Sequence, residues 1–445
     1  MSAPRIAAAH SGMGTDRRDG PLRILFVVEH VPFVPASGGT TRTFHMVRAA
    51  CEMGAVTLVS LWGEPSDPRY AEVRRLCSEV RIVAPIFSPT WASGTAAKKR
   101  RSLKGTMVAL VTRLPAVQRC IRTTVRWALV QVVRRRLQTS RYDLVVVEYT
   151  DLAAALSKLV QRTRVPAIAN LQNVDSVVYS RSKQFDETAA SMTVGHRLKL
   201  LRRLERRIVD RYDVVQVCSD VDIELLTGST WHERLRVVPN GVDIAYFADP
   251  GPVASLPEHD GSQPLLVFTG TLAHAPNADA LMWFVEQIWP ILVRQRPRIH
   301  FAIVGAGPVP AHVERYGQLP GISLHVSVPD VRPYLRAATV AIVPIRIGSG
   351  TRLKILDAMA LRVPVVSTTV GAEGLGLTSG TEILLADESQ AFADAIEMLL
   401  DDPLLAQRLA DAGSAAVQAR YDWSAIRDAF TSQARELLVE MRRSS

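Results

Sequence analysis

GSGTRLKILDAMALRVPVVST, residues 348–368, is the stretch whose pattern decides the fold. The apolar run VAIVPI (340–345) enters it as a strand, and Gly348, Ser349, Gly350 and Thr351 then make a loop. A helical spacing follows and stops before Pro364, where PVVSTT (364–369) reads as the next strand. Leu353, Leu356 and Ala360 are expected to form the buried stripe of the helix. Arg352 and Lys354 fall in its first turn, where cations oppose the helix dipole. That local cost predicts an anion close by. Exposed loop amides and two cations together suit a diphosphate.

The same alternation runs outward in both directions. Toward the N-terminus, LRILFVVE (22–29), VTLVSL (56–61), VRIVA (80–84), YDLVVVE (142–148), VPAIAN (165–170) and DVVQVC (213–218) read as strands separated by helical patterns. One of these, HRLKLLRRLERRIVDRY (196–212), puts Leu198, Leu201, Leu204 and Ile208 near one side and its arginines in water. The second series is LLVFTGT (265–271), IHFAIVGAG (299–307), ISLHVSV (322–328), the two strands already quoted, and ILLAD (383–387). Apolar strands alternating with helices predict an α/β chain with parallel sheets covered on both faces.

A chain of 445 residues exceeds what one core supports, so two domains are expected. DPGPVASLPEHDGSQP (249–264) is rich in Pro, Gly and acidic residues and lacks periodicity, as a linker does. The expected division is a disordered tail at 1–20, an N-terminal domain at 21–247, a linker at 248–263 and a C-terminal domain at 264–420. A last helix is expected at 421–445, with a return to the N-terminal domain as one course open to it. Two doubly wound, Rossmann-like domains in tandem bring the carboxyl ends of their strands face to face across a cleft, and the active site is expected there.

Composition narrows the class. No run of about 18 apolar residues occurs, which argues against a bilayer span, and the first 20 residues lack the apolar core of a signal peptide. Cys51, Cys77, Cys120 and Cys218 lie far apart in sequence without zinc spacing, which suits a reducing, cytoplasmic setting. The formal charge of +10 concentrates where acidic residues vanish, from Val80 to Tyr142. Lys98, Lys99, Arg100, Arg101, Lys104, Arg113, Arg119, Arg122, Arg126, Arg134, Arg135 and Arg136 gather there among Val125, Trp127, Leu129, Val130, Val132, Val133 and Leu137. Such a segment reads either as a peripheral contact with anionic lipid at the inner face of the membrane or as a helix with a core-facing apolar side and solvated arginines. Nucleic acid is not an expected partner.

Three further segments carry candidate chemistry. In VEHVPFVPASGGTTRTFHM (28–46), Gly38, Gly39 and Thr40 open a helix whose amides could face a phosphate or the acceptor; the third glycine of a dinucleotide fingerprint is missing, and a plain tight turn reads equally well. FTGTLAHAPNADA (268–280) offers Gly270, Thr271 and His274 after a strand, and Gly305 to Gly307 leaves backbone space nearby. Asp220 and Asp222 have the spacing of a divalent-metal pair but follow Ser219, so a capped helix with acidic residues in its first turn is the better account. No metal is expected.

Taken together, PASGGTTRTFHMVRA (35–49), VVPNGVDIAYF (237–247), FTGTLAHAPNADALMWF (268–284), PDVRPYL (329–335) and GSGTRLKILDAMALRVPVVST resemble the large family of retaining glycosyltransferases, glycosyl transferases group 1, that includes sucrose synthases and many bacterial mannosyltransferases. The resemblance spans nearly the whole chain. It implies the GT-B fold, no cofactor, and a nucleotide diphosphate sugar as donor substrate. The implied acceptor is a lipid-linked glycan, a polysaccharide or a small molecule. Two glutamates separated by seven residues contact the donor in that family; their positions here hold Ser349 and Asp357, so a ribose role passes to Asp357, while sugar contact passes to the backbone of Gly348 to Thr351. Gln172 stands where relatives commonly carry a His, and no catalytic base is assigned. Thr271 and His274 occupy the loop that often supplies an Arg and a Lys, which leaves Arg352 and Lys354 to neutralise the leaving diphosphate. Competing readings are a nucleotide-sugar epimerase or hydrolase on the same fold, or a noncatalytic protein binding sugar nucleotides or a membrane surface.

Overall fold

The computed structural model describes residues 21–34, 38–84, 115–184, 191–249 and 263–443. The expected tail at 1–20, most of the linker and the cations from Lys98 to Arg113 lie outside the described residues.

Two sheets, all of whose strands pair in parallel, organise the chain. The first contains β1 (Leu22–His30), β2 (Gly54–Trp62), β3 (Glu79–Ala84), β4 (Leu144–Glu148), β5 (Ala167–Asn170), β6 (Val214–Val217) and β7 (Leu235–Val237) in the order β3-β2-β1-β4-β5-β6-β7. The second contains β8 (Leu265–Thr271), β9 (His300–Ala306), β10 (Ile322–Val326), β11 (Val340–Val343), β12 (Val365–Ser367) and β13 (Leu384–Leu385) in the order β10-β9-β8-β11-β12-β13. The strand order reverses between β1 and β4 and between β8 and β11. Those reversals open the crevices in which doubly wound folds hold ligands.

Burial explains the near-continuous apolar strands: Ile24, Leu25, Phe26, Val27 and Val28 of β1 are all fully buried, so both faces of the sheet are covered. One strand escaped the sequence pattern. β7 has three residues, too few to show a period, and it joins the sheet through Val215–Leu235 to Val217–Val237 pairing.

The helix of the deciding stretch runs Leu353–Ala360, with Arg352 as its N-cap. Its buried residues are Ile355, Leu356, Ala358 and Met359, whereas Leu353 and Ala360 are only half-buried. The expected stripe is therefore corrected: the helix is wedged between β11, β12 and the Pro403–Arg420 helix, so its covered face is wider and turned toward Met359. Met359 lies against Gly413, where a Cβ would come within 3.1 Å of its Cγ.

The Trp423–Arg443 helix belongs spatially to the first sheet. Trp423, Ile426, Phe430, Ala434 and Leu437 share a core with Ile24, Phe26, Phe44 and Val47. Where the chain returns, Val242 N donates to Tyr421 O at 2.8 Å and Trp423 N to Val242 O at 3.3 Å, so both connections pass at one place. VVPNGVDIAYF and PDVRPYL meet beside it. The Arg332 guanidinium pairs with Asp330 at 2.7 Å, donates to Tyr246 O at 2.6 Å, and lies 3.9 Å from the centre of the Tyr246 ring.

The basic helix Pro115–Thr139 turns Leu129 and Val133 into the core of the first sheet, with Val125, Val130, Val132 and Leu137 packed against it. Its apolar side is thus occupied, and the picture of that side buried in lipid is corrected. Trp127 stays outside, and Arg126 and Arg136 pair with Asp151 and Glu79. Among the described residues no helix is long and apolar enough to cross a membrane.

Two cysteines that are distant in sequence meet in the fold: the Cys51 and Cys77 thiols are 3.9 Å apart.

Candidate active site

The loop Gly348–Thr351 projects from the second sheet toward the carboxyl ends of the first, and folding brings the two glycine-bearing segments together. A Cβ on Gly38, at the start of the Gly38–Met53 helix, would lie 3.0 Å from Leu353 Cδ1. Gly39 O accepts from Thr43 Oγ1 at 3.0 Å and from Gln172 Nε2 at 3.2 Å, and Thr40 follows in the first helical turn. Gly350 has φ +72 and presses on Gln172 O, which a Cβ would approach to 2.4 Å. Glycine is required there on both counts.

Lys354 is enclosed. Its Nζ donates to Asn277 Oδ1 at 2.8 Å and lies 3.9 Å from the centre of the Phe268 ring. Gly270 makes room for it, since a Cβ there would stand 3.0 Å from Nζ. Burial, then the Arg352 charge, holds the Lys354 ammonium well below its ordinary proton affinity, with only Asp357 pulling the other way. Arg352 folds back on its own loop: Nη1 donates to Ser349 O and, at 2.6 Å, to Gly350 O, while Nη2 is buried without a hydrogen-bond partner. Burial pushes its pKa down to about 10. Among the described residues neither cation forms an ion pair with Asp357 or with any other carboxylate.

Asp357 lies one turn further, half-buried, with its pKa raised to about 7 by burial. His274 stands at the N-cap of the Ala275–Trp283 helix without using its side chain there. The residue keeps an exposed edge, yet desolvation of its ring by the neighbouring loop, then the Lys354 and Arg352 charges, pushes its pKa down to about 4, so the ring is neutral at pH 7. Gly305 packs under this loop, where a Cβ would meet Leu272 Cγ at 2.5 Å and Gly270 O at 2.6 Å. The cluster therefore holds two uncompensated cations, a neutral imidazole, a carboxyl that titrates near neutrality and a glycine-lined backbone. Such a set favours a bound dianion with hydroxyl groups beside it.

The Ser349 and Thr351 side chains are turned into the protein, which leaves the loop backbone as the part open to a sugar. Ser349 is fully buried, and its hydroxyl accepts from Val174 N at 2.7 Å and donates to Val174 O at 3.3 Å. Thr351 is buried as well, and its carbonyl accepts from Asn240 Nδ2 at 3.3 Å. Gln172 is similarly committed, donating to Thr43 Oγ1 at 3.0 Å and Glu148 Oε2 at 3.1 Å.

Several residues of the site gave no distinct signal in the sequence. Asn277 is one. Ser219 does cap its helix, accepting from Asp222 N at 3.3 Å, but the buried Asp222 carboxylate also accepts from the Gly350 amide. Arg181 pairs with Glu373 across the cleft. Glu148, at the end of β4 beside the first reversal of strand order, is fully buried with Oε1 unpartnered and its pKa raised by burial to about 7. A carboxylate that closes an apolar strand was visible, but its partners, Thr43 and Gln172, come from two separate segments.

With the geometry in place, comparisons with known proteins align with it. Residues 263–402 match the family model described as Glycosyl transferases group 1, and residues 37–241 match the Glycosyl transferase 4-like domain. The D-inositol 3-phosphate glycosyltransferase of Pseudarthrobacter chlorophenolicus is 26% identical over 318 residues, 66% of this chain and 71% of that protein. The phosphatidyl-myo-inositol mannosyltransferase of Mycobacterium tuberculosis is 27% identical over 255 residues, 54% of this chain and 62% of its own length. A 44.6 kDa protein of the cps region of Klebsiella pneumoniae is 27% identical over 135 residues, 29% of this chain and 35% of that protein. The aligned regions thus span from about a third to about seven-tenths of these relatives. Among solved structures, the sucrose-phosphate synthase of Thermosynechococcus elongatus superposes with a TM-score of 0.69 at 18% identity, covering 94% of this chain and 100% of that one. HepE of Anabaena, in complex with UDP and glucose, gives 0.60 at 14%, covering 93% and 100%. At such identities the structural likeness speaks for the fold, which is GT-B.

Proposed function

Because the chain belongs to the group 1 glycosyl transferases, we propose that it moves a hexosyl group, with retention of anomeric configuration, from a nucleoside diphosphate sugar to a glycan or lipid-linked acceptor. One observation carries the donor assignment: Lys354 and Arg352 are desolvated side by side without an ion-pair partner, and Arg352 Nη2 has no acceptor. A diphosphate supplies what both lack. Its oxygens take the Arg352 N–H and the Lys354 ammonium, and Gly270 and Gly348 leave room for backbone approach. Asp357 takes the ribose hydroxyls, and neutral His274 borders the phosphates without adding charge. The acceptor enters from the Gly38–Thr40 side.

Retention without an assigned nucleophile fits attack on the face the diphosphate leaves. The acceptor hydroxyl gives its proton to the departing phosphate oxygen as the new glycosidic bond forms and the old one breaks. The protein contributes chiefly by stabilising the charge that grows on that oxygen, and fixed cations in an enclosed site do this without reorganising. Asp222 is spent on Ser219 and the Gly350 amide, so no metal is invoked.

Two relatives are named for inositol 3-phosphate and phosphatidyl-myo-inositol, which supports a polar acceptor that is soluble or carried on lipid. The basic helix, with Arg134 and Arg135 exposed and Trp127 outside, is the surface proposed to meet anionic lipid. The test is turnover of UDP- and GDP-sugars with and without acceptor, reading product anomers by NMR. Transfer with retained configuration is the expected result. Hydrolysis or epimerisation without transfer would favour the competing enzyme readings, and binding without turnover the noncatalytic one.

A further inference from the structure

All four residues of the Gly348–Thr351 loop are held by groups that lie between residues 172 and 240. Gly348 O accepts from Arg181 Nη1. The Ser349 hydroxyl is bonded to both the N–H and the C=O of Val174. The Gly350 amide donates to Asp222, and Gly350 sits so close to Gln172 O that a Cβ would approach it to 2.4 Å. Thr351 O accepts from Asn240 Nδ2. A loop whose own sequence is rich in glycine has little shape of its own. Here that shape is imposed from across the cleft.

Arg181 is the strongest of these ties. Its guanidinium forms a two-pronged pair with Glu373, Nη1 to Oε2 at 2.6 Å and Nη2 to Oε1 at 2.7 Å, while Nη1 also reaches the loop carbonyl. Both side chains are about four-fifths covered, with 20% and 18% exposed, so the pair is shielded from the screening that weakens surface bridges. Beside it Gly374, at φ +77, lies against Ser219, whose Oγ a Cβ would approach to 2.6 Å. The tie thus fixes both the loop and the following turn of the second sheet onto the first half.

We infer that Arg181, through Glu373 and Gly348 O, is a positioning residue that holds the donor loop in its nucleotide-binding shape. The inference rests on the donor assignment proposed above. Ser349 has a matching part: at the position where relatives carry a glutamate, this chain spends a buried hydroxyl on fastening the loop to Val174.

Population arithmetic sets the expected kinetics. If the shaped loop becomes a minor state, apparent affinity falls by the fraction remaining, while donor at saturation restores the shape. Loss of the tie therefore raises donor KM and leaves kcat nearly alone, unlike loss of a group that touches the leaving diphosphate. The experiment measures binding of UDP and of GDP by calorimetry, then KM and kcat for the donor that the wild type turns over, in Arg181→Ala, Arg181→Lys, Glu373→Ala and the double alanine variant. Expected are a Kd and KM raised roughly tenfold or more in Arg181→Ala with kcat within about threefold. Partial recovery is expected in Arg181→Lys, which keeps the charge but loses the fork, and no further loss in the double variant, because the two residues act as one pair. Ser349→Glu, which restores the carboxylate of the relatives, is expected to weaken nucleotide binding as well, because it forces a charge into a fully buried site. Unchanged nucleotide affinity in folded Arg181→Ala protein, or a loss confined to kcat, overturns the inference. Small-angle scattering without nucleotide reads the tie separately: the double variant is expected to show a larger radius of gyration, and an unchanged radius counts against the tie. Failure of the wild type to bind UDP or GDP would instead remove the donor assignment.

Discussion

Replacing Arg352 by Met tests the donor assignment through two opposed effects. Burial moves the Arg352 pKa from its ordinary 12.5 to about 10. At about 1.4 kcal/mol per tenfold in proton affinity, the site disfavours the charge by about 3 kcal/mol relative to water. The sign is that of a depressed base: the penalty is present in full at pH 7 and disappears only above the ordinary pKa. Met keeps most of the stem and removes the charge, along with the bonds to Ser349 O and Gly350 O, each bond contributing about 1 kcal/mol. Gain and loss nearly cancel in the free protein, so its Tm is expected to stay within a few degrees of wild type. With donor present the balance changes. An anion that offsets about 3 kcal/mol of unfavourable environment loses roughly 100-fold in affinity or transition-state stabilisation when the cation goes. Calorimetry and scanning fluorimetry without donor, then kcat/KM for the donor, measure both sides. Arg352→Lys is expected to recover part of the rate, because it restores the charge but not the fork. Normal donor affinity and turnover in folded Arg352→Met protein refute the reasoning, since the charge would then be buried for some other purpose.

The pH dependence follows from Asp357, whose carboxyl is raised to about 7 and whose ionised form accepts ribose hydroxyls. Below that pH the free enzyme is protonated there, so donor kcat/KM is expected to fall about tenfold per pH unit, and this limb should vanish in Asp357→Asn. Transfer is expected to survive a chelator unchanged, because Asp222 already serves Ser219 and Gly350; inhibition reversed by manganese would contradict this. Vesicle binding through the basic helix is expected to be salt-sensitive and confined to anionic lipid, with Leu129 and Val133 unavailable for insertion; Trp127 fluorescence reports it, and equal binding to neutral vesicles would discard the electrostatic account. Phe430→Ala, in the last helix, is expected to cost about 3–5 kcal/mol because it opens a cavity in the core of the first sheet; denaturant unfolding of that domain measures it.

What the sequence determined by itself was whatever repeats locally. Apolar strands alternating with helices specify doubly wound parallel sheets, because a strand buried on both faces has no polar side to show, and β1, β4, β8 and β11 were each legible for that reason. The glycine loop before a helix was legible too, and so was the placement of Arg352 and Lys354 at its start, with Asp357 one turn further. The destination of a side chain depends on groups far away in sequence, and no local period records them. Ser349 left no sign that its hydroxyl would be claimed by Val174, 175 residues earlier. Arg352 gave none that two of its hydrogen bonds would return to its own loop. Arg181 and Glu373, separated by 192 residues, were ordinary surface types until the cleft brought them together. Cys51 and Cys77 looked isolated, and packing of the Gly38–Met53 helix against the Ala71–Leu76 helix made them neighbours. The apolar residues of the basic helix matched lipid and core equally well, because amphipathic spacing records that a face is covered and leaves out what covers it. Only the tertiary structure decided that question, by placing Leu129 and Val133 beneath the first sheet.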